Sequence, residues 1–324
     1  MIMTMVQAIN RALAGELERD DRVVVFGEDV GRDGGVFRAT EGLFDRFGPA
    51  RVMDTPLAES GAVGAAIGMA ALGLRPVPEI QFMGFIYPAF NQIVSHVARI
   101  RNRTRGRFTA PITIRTPYGA GVKALEHHSE STEALFCHLP GLTVVVPSTP
   151  YEAKGLLAAS IRSDDPVIFL EPTRLYRAEK QEVPEEPYEV PLRQAAVVRE
   201  GRDLTVVAWG AMIPVARETA AAAEAQGVSV EIVDLRTLSP MDRSTILASV
   251  RKTGRAIVLH EAPKTCGLGA EIAATIGESA LLSLKAPVAR VTAPDITVPL
   301  AKREDLYYPN PDRVLRAVRR LMEY

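Results

Sequence analysis

Apolar residues in this chain gather into short β-branched runs: RVVVFG (22–27), RPVPEIQF (75–82), APITIR (110–115), LTVVVP (142–147) and PVIFLEP (166–172). Between them the spacing lengthens to the helical period, over Phe85 to Arg103 and Pro150 to Ile161. Strands alternating with helices predict a doubly wound α/β domain around a mainly parallel sheet. Upstream, Met5, Ile9, Leu13 and Leu17 recur at i, i+4 spacing and predict an amphipathic first helix, with Thr4 and Gln7 in the form of a capping box at its start. Charged residues interrupt that segment, so it does not read as a targeting sequence.

The alternation stops at Arg177 to Arg193, an acidic stretch punctuated by prolines that reads as an exposed connector. It resumes with DLTVVAWG (203–210), an alanine-rich helix from Met212 to Gln226, VSVEIVDLR (228–236), GRAIVLHE (254–261), a helix from about Gly269 and PVARVT (287–292). The chain is therefore expected to divide into a larger α/β domain over residues 1–185 and a smaller one over 186–324. No internal repeat, low-complexity tract or heptad run is present.

Composition narrows the function classes. With 324 residues, 47% hydrophobic and a formal net charge of −1, the chain has material for a large core and no one-signed basic face for nucleic acid. The one local exception, Arg99 to Arg107, reads as a solvated helix end or a salt-bridged subunit contact. The small-residue run from Gly61 to Leu74 is too short to span a bilayer. Cys137 and Cys266 stand far apart without a ligand pattern, which indicates neither a disulfide framework nor a structural zinc site and points to a reducing, cytoplasmic setting.

Three stretches invite a chemical reading. Gly267 and Gly269 in CGLGAEI superficially match a dinucleotide-binding loop, but Ile272 occupies the third glycine position, and a turn that lets strand and helix pack closely accounts for them better. His127 and His128 lie in a glycine-containing loop with no third metal ligand at useful spacing, so a role must come from geometry and partners. Glu59, in TPLAESG, precedes a small-residue helix. Either it is a first-turn acid favoured by the helix dipole, or an apolar shell raises its pKa and keeps a proton available for a bound heterocycle.

Taken in order, FGEDVGRDGGVFRATEGL, RVMDTPLAESGAVGAAIGMAALGLRPVPEIQFMGFIYPAFNQI, HHSES, PGLTVVVPSTPYEAKGLL, IFLEPTRLYR and DITVPLAKREDLYYPNPDRV closely resemble the beta subunit of thiamine-diphosphate-dependent 2-oxo acid dehydrogenases, over essentially the whole chain. The resemblance implies a pyrimidine-binding domain followed by a transketolase-like carboxy-terminal domain. It implies that Glu59 hydrogen-bonds N1′ of the aminopyrimidine, favouring the imino tautomer whose nitrogen deprotonates the thiazolium carbon. A dry setting for that acid would come from Leu57, Ala58, Gly61, Ala62 and Val63. By the same likeness Phe85 packs on the aminopyrimidine, and Gln81, Phe82 and Met83 lie beside it near substrate, Phe82 having an alternative reading as core. His128 would contact the substrate carboxylate or assist acyl transfer to lipoyl, with His127 a bystander, and Glu28 would join a chain of acids linking paired active centres.

Ile112, Thr113, Ser160, Ser163 and Asp165 correspond to a monovalent-cation site, for K+, in branched-chain relatives, although serines stand at two positions where a relative carries Cys and Asp. The GDG motif that holds the diphosphate through Mg2+ is absent, RDGG at Arg32 to Gly35 being the nearest string. The resemblance therefore implies an alpha subunit that carries the metal, a heterotetramer of two alpha and two beta chains, and contacts with the lipoyl and subunit-binding domains of a dihydrolipoyl acyltransferase. HHSESTEALF leans towards branched-chain 2-oxo acids as substrate, with pyruvate the alternative. A transketolase-like carboligase half is disfavoured by the missing GDG, and a non-catalytic scaffold by the presence of Glu59, Phe85 and His128.

Overall fold

A computed structural model describes residues 1–324. Its strands in chain order are β1 (Ile2–Met3), β2 (Val23–Gly27), β3 (Val52–Asp54), β4 (Arg75–Glu79), β5 (Thr113–Tyr118), β6 (Thr143–Val145), β7 (Val167–Pro172), β8 (Gln181–Glu182), β9 (Ala196–Arg199), β10 (Leu204–Ala208), β11 (Val230–Asp234), β12 (Thr237–Ser239), β13 (Ala256–Pro263) and β14 (Ala289–Ala293). They form a seven-stranded sheet in the order β12-β6-β7-β5-β4-β2-β3, a five-stranded sheet in the order β14-β13-β10-β11-β9, and the short ladder β1-β8. Both larger sheets are parallel except at one edge, where β12 and β9 run antiparallel. The expected α/β class with mainly parallel sheets is what the chain adopts.

The first helix, Met5–Arg19, buries Met5, Ile9, Leu13 and Leu17, as its spacing predicts, and packs against the helix Pro150–Arg162. The expected capping box forms at its start, Gln7 Oε1 accepting from the Thr4 backbone N–H at 2.9 Å. Charge closes the helix pair: buried Glu16 takes Arg162 at 2.6 Å and Arg19 at 2.8 Å.

One expectation changes. The stretch Phe85 to Arg103 is not one helix: 3₁₀ turns at Met83–Phe85 and Tyr87–Ala89 lead into a single α turn at Phe90–Gln92, a π segment at Ile93–Val97 and a last turn at Ile100–Arg103. Pro88 has no N–H to continue a helix begun at Phe85, so the winding restarts there. β12 also joins the first sheet beside β6, although it lies in the second half of the sequence. The two halves share a core: Tyr118, Val144 and Leu170 from one sheet cluster with Val207, Trp209, Val233 and Leu235 from the other. Gly210 makes that approach possible, because a Cβ there would lie 2.8 Å from the Tyr118 hydroxyl and from Val146.

Gly267 and Gly269 flank the start of the helix Leu268–Ala280 and press on His260 of β13; a Cβ on Gly269 would stand 2.6 Å from its Nε2. That is close strand–helix packing. His260 is buried, stacked on Trp209 at 5.2 Å, and desolvation with Arg290 nearby lowers its pKa to about 4, which keeps it neutral. Both cysteines are free, Cys137 half-buried and Cys266 exposed. In the arginine cluster Arg101 pairs with Asp165 at 2.5 Å, while Arg99, Arg105 and Arg107 are exposed.

Candidate active site

In open parallel sheets, ligands bind beyond the carboxyl ends of the strands. Here β2 ends into Glu28, β3 ends at Asp54, and β4 ends at Glu79 and runs on to Gln81, Phe82, Met83 and Phe85. Asp54 draws the segment after β2 across, accepting from the Gly31 and Arg32 backbone at 2.6 and 3.3 Å. Gln81 Nε2 donates to Asp29 Oδ2 at 2.9 Å and joins β4's end to the same turn. The Glu28 carboxyl is held above its ordinary pKa by partial burial, and next by the negative charges of Glu59 and Asp29, so the three acids share one neighbourhood.

Glu59 opens the helix Glu59–Ala71, whose inner face buries Ala62, Val63 and Ala66. The expected apolar shell is only half built by this chain. Glu59 is half-buried, and Leu57, Ala58 and Gly61 lie on an exposed face with Ala65, Gly68 and Leu72. Leu57 and Leu72 are 80% and 87% exposed. The residues are small and apolar as required, but the surface that would dry them is not part of this fold.

Beyond the end of β4 the chain builds a cluster of rings. The turn Met83–Phe85 sits on the turn Glu126–His128, with Phe82 and Phe85 edge-on to His128 at 4.5 and 5.2 Å and to each other at 5.4 Å. Phe82 and Met83 are buried and Phe85 is half-buried. Phe82 also packs on Phe37 at 5.5 Å, so it is a core wall of the site as well as one of its rings. Gly84 sets the approach: a Cβ there would meet His127 O at 2.4 Å and His127 Cα at 2.9 Å. The His128 Nδ1 is buried without a partner, whereas the His127 side chain is exposed.

Beneath the site, Arg115 of β5 bridges two acids on neighbouring strands. It donates to Glu79 Oε2 at 2.8 Å and to Glu171 at 2.7 and 3.1 Å, and the Tyr176 hydroxyl donates to Glu171 at 2.6 Å. All four are buried. Behind the histidine loop, Glu133 and Glu261 are fully enclosed, and burial pushes each up to about 7, the Arg174 charge opposing it at Glu261. Sequence reasoning did not reach these acids, because nothing in EALF or LHEAP distinguishes them from surface carboxylates.

Four of the five residues of the expected cation site already have partners within the chain: Asp165 is paired with Arg101, Ser160 Oγ donates to Leu156 O, Ser163 Oγ donates to Asp165 O, and Ile112 O accepts from Val167 N.

Residues 2–179 match the transketolase pyrimidine-binding domain and 193–314 the transketolase C-terminal domain. The chain is 53% identical to the pyruvate dehydrogenase E1 component subunit beta of Acholeplasma laidlawii over 320 residues, covering 99% of this chain and 98% of that one. The protein of the same name from Bacillus subtilis is 53% identical over 322 residues, covering 99% of both. The chain belongs to the thiamine-diphosphate-dependent E1 beta-subunit family. A solved split-gene transketolase, an inactive beta4 tetramer, superposes with a TM-score of 0.82 at 23% identity over 99% of this chain and 98% of that one, and shows the same fold.

The site fits half of that family's cofactor. A carboxylate, an exposed leucine and half-buried Phe85 suit an aminopyrimidine, an apolar ring with a polar edge. No group of three or more His, Cys, Asp or Glu side chains is placed to hold a metal ion.

Proposed function

We propose that the chain is the beta subunit of a pyruvate dehydrogenase E1 component, working with an alpha subunit that supplies the Mg2+–diphosphate half of the cofactor site. The observation that carries the substrate is the 53% identity, over nearly full length, to two beta subunits named for pyruvate. It favours pyruvate over the branched-chain acids suggested by HHSESTEALF. The bound cofactor supplies the electron sink for decarboxylation. Glu59 holds a proton at the pyrimidine edge, with Glu28 beside it; Leu57 and Phe85 hold the ring; Gln81, Phe82 and Met83 line the substrate side. His128 orients the substrate or serves acyl transfer to a lipoyl domain. The exposed face Leu57–Gly61–Ala65–Gly68–Leu72 supports an assembly of two alpha and two beta chains, because only a further chain would close the water out around Glu59. A division near 185/186, contacts with the lipoyl and subunit-binding domains of a dihydrolipoyl acyltransferase, and a cytoplasmic setting belong to the same reading; no helix is long and apolar enough to cross a membrane.

Reconstitution with an alpha subunit tests the substrate. The expected kcat/KM for pyruvate exceeds that for 3-methyl-2-oxobutanoate, by an amount the pocket's fit sets at about 10–200-fold per mismatched methylene. The reverse order would restore the branched-chain reading and leave the residue roles in place. Gly84→Ala checks the geometry. Its Cβ would push the His127 backbone away and separate His128 from both rings, and a displacement of about 1 Å is expected to cost up to about 100-fold in lipoyl acylation. Parent-like acylation by a folded Gly84→Ala enzyme would show that this spacing is not needed.

A further inference from the structure

We propose that Glu261, Glu304 and Tyr308, all from the carboxy-terminal half of the chain, are positioning residues that fix His128 by gripping both ends of its loop. The inference rests on His128 being the residue that handles substrate or acyl transfer.

The loop leaves β5 at Gly119 and returns at Glu130, and Gly119 N–H donating to Glu130 O at 2.9 Å closes its neck. A loop whose ends lie this close is a compact unit of the surface. On the outgoing side, Glu261 Oε2 accepts from Ala120 N at 3.3 Å and Glu304 Oε1 accepts from Gly121 N at 3.1 Å. Gly119 admits the first of these carboxyls, since a Cβ there would lie 2.6 Å from Glu261 Oε1, and at φ +77° its backbone favours glycine. On the return side, the Tyr308 hydroxyl donates to Ser129 O at 2.9 Å, one residue beyond His128. All three side chains are buried.

On its return side the loop also meets Gly84 through the His127 backbone. His128 therefore stands between a residue that touches the 83–85 turn and a neck held by the second half of the chain. The neck contacts are hydrogen bonds to backbone, so they set position without adding a group to the chemistry. Glu304 and Tyr308 come from the adjoining segments Ala301–Tyr307 and Tyr308, and through them the carboxy-terminal portion reaches the active site without touching substrate.

The test uses the assembled enzyme with its alpha subunit, a free lipoyl domain as acyl acceptor, and Tyr308→Phe, which removes one donor and no carbon. Loss of one such bond is worth about 0.5–1.5 kcal/mol, so lipoyl acylation is expected to fall roughly two- to tenfold. In a His128→Ala background, already slowed, the same substitution is expected to change nothing further, because the group being positioned is gone. Glu304→Gln, which keeps an accepting oxygen, should retain the parent rate, and Glu304→Met should repeat the Tyr308→Phe loss. No loss in Tyr308→Phe, or an equal loss with and without His128, would overturn the positioning role. If His128→Ala itself acylates at the parent rate while His127→Ala does not, the role of His128 falls instead.

Discussion

Glu59→Gln is expected to abolish turnover in the reconstituted enzyme while leaving the chain folded. The side chain is half-buried on the first turn of Glu59–Ala71 and makes no hydrogen bond within this chain, so an isosteric amide removes no internal contact. Its stability should stay within about 0.5 kcal/mol of the parent. Catalysis is different, because an amide cannot exchange a proton with the pyrimidine edge. Loss of a positioned acid–base group costs about 10²–10⁴-fold. The neighbouring Glu28 is held above its ordinary pKa by burial and by Glu59. The deciding measurement is hydrogen–deuterium exchange at the cofactor's thiazolium carbon. Exchange as fast in Glu59→Gln as in the parent would remove the role assigned to this acid, whatever the overall rate.

How far the sequence disclosed this site depends on the range of the interactions that build it. Strands β2, β4, β5, β6 and β7 and the first helix were legible because each carries its own period, set by which face meets the core. β3, β9 and β12 were not. Each is three or four residues long, and β12 is a strand only because β6 lies beside it, some ninety residues earlier in the chain. The winding over 85–103 breaks locally at Pro88, where a missing donor outweighs the apolar periodicity.

Family likeness brought Glu59, Phe85 and His128 into view, and the fold places His128 against Phe82 and Phe85. Likeness could not show that Leu57 and the outer helix face are bare in a single chain, which the fold does. Glu261, Glu304 and Arg115 were invisible for a related reason. In AKREDLY or PITIRTPY a charged residue looks solvated, and only the packing of distant strands and helices buries it.

Arg115 carries the largest stability effect. Glu79, Arg115 and Glu171 lie on adjacent strands β4, β5 and β7 directly below the site, and all are buried, so the two acids share one guanidinium. Arg115→Met keeps much of the volume but leaves both carboxylates without a cation. Breaking a buried pair from one side costs about 3–5 kcal/mol, read as a drop in the urea midpoint with an unchanged slope. The pH dependence has a definite sign. Burial already holds Glu79 above its ordinary value of 4.5, and Arg115 is the first force opposing that rise. Without it the folded-state pKa climbs further, and the folded protein binds a proton that the unfolded chain has released. The variant's stability is then fullest below about 4.5 and is lost as pH rises through the higher folded value. The deficit relative to the parent should therefore shrink on acidification from pH 8 to pH 5. A deficit that is constant across that range would mean that Glu79 stays ionised by drawing in water, and that Arg115 acts by packing rather than by charge.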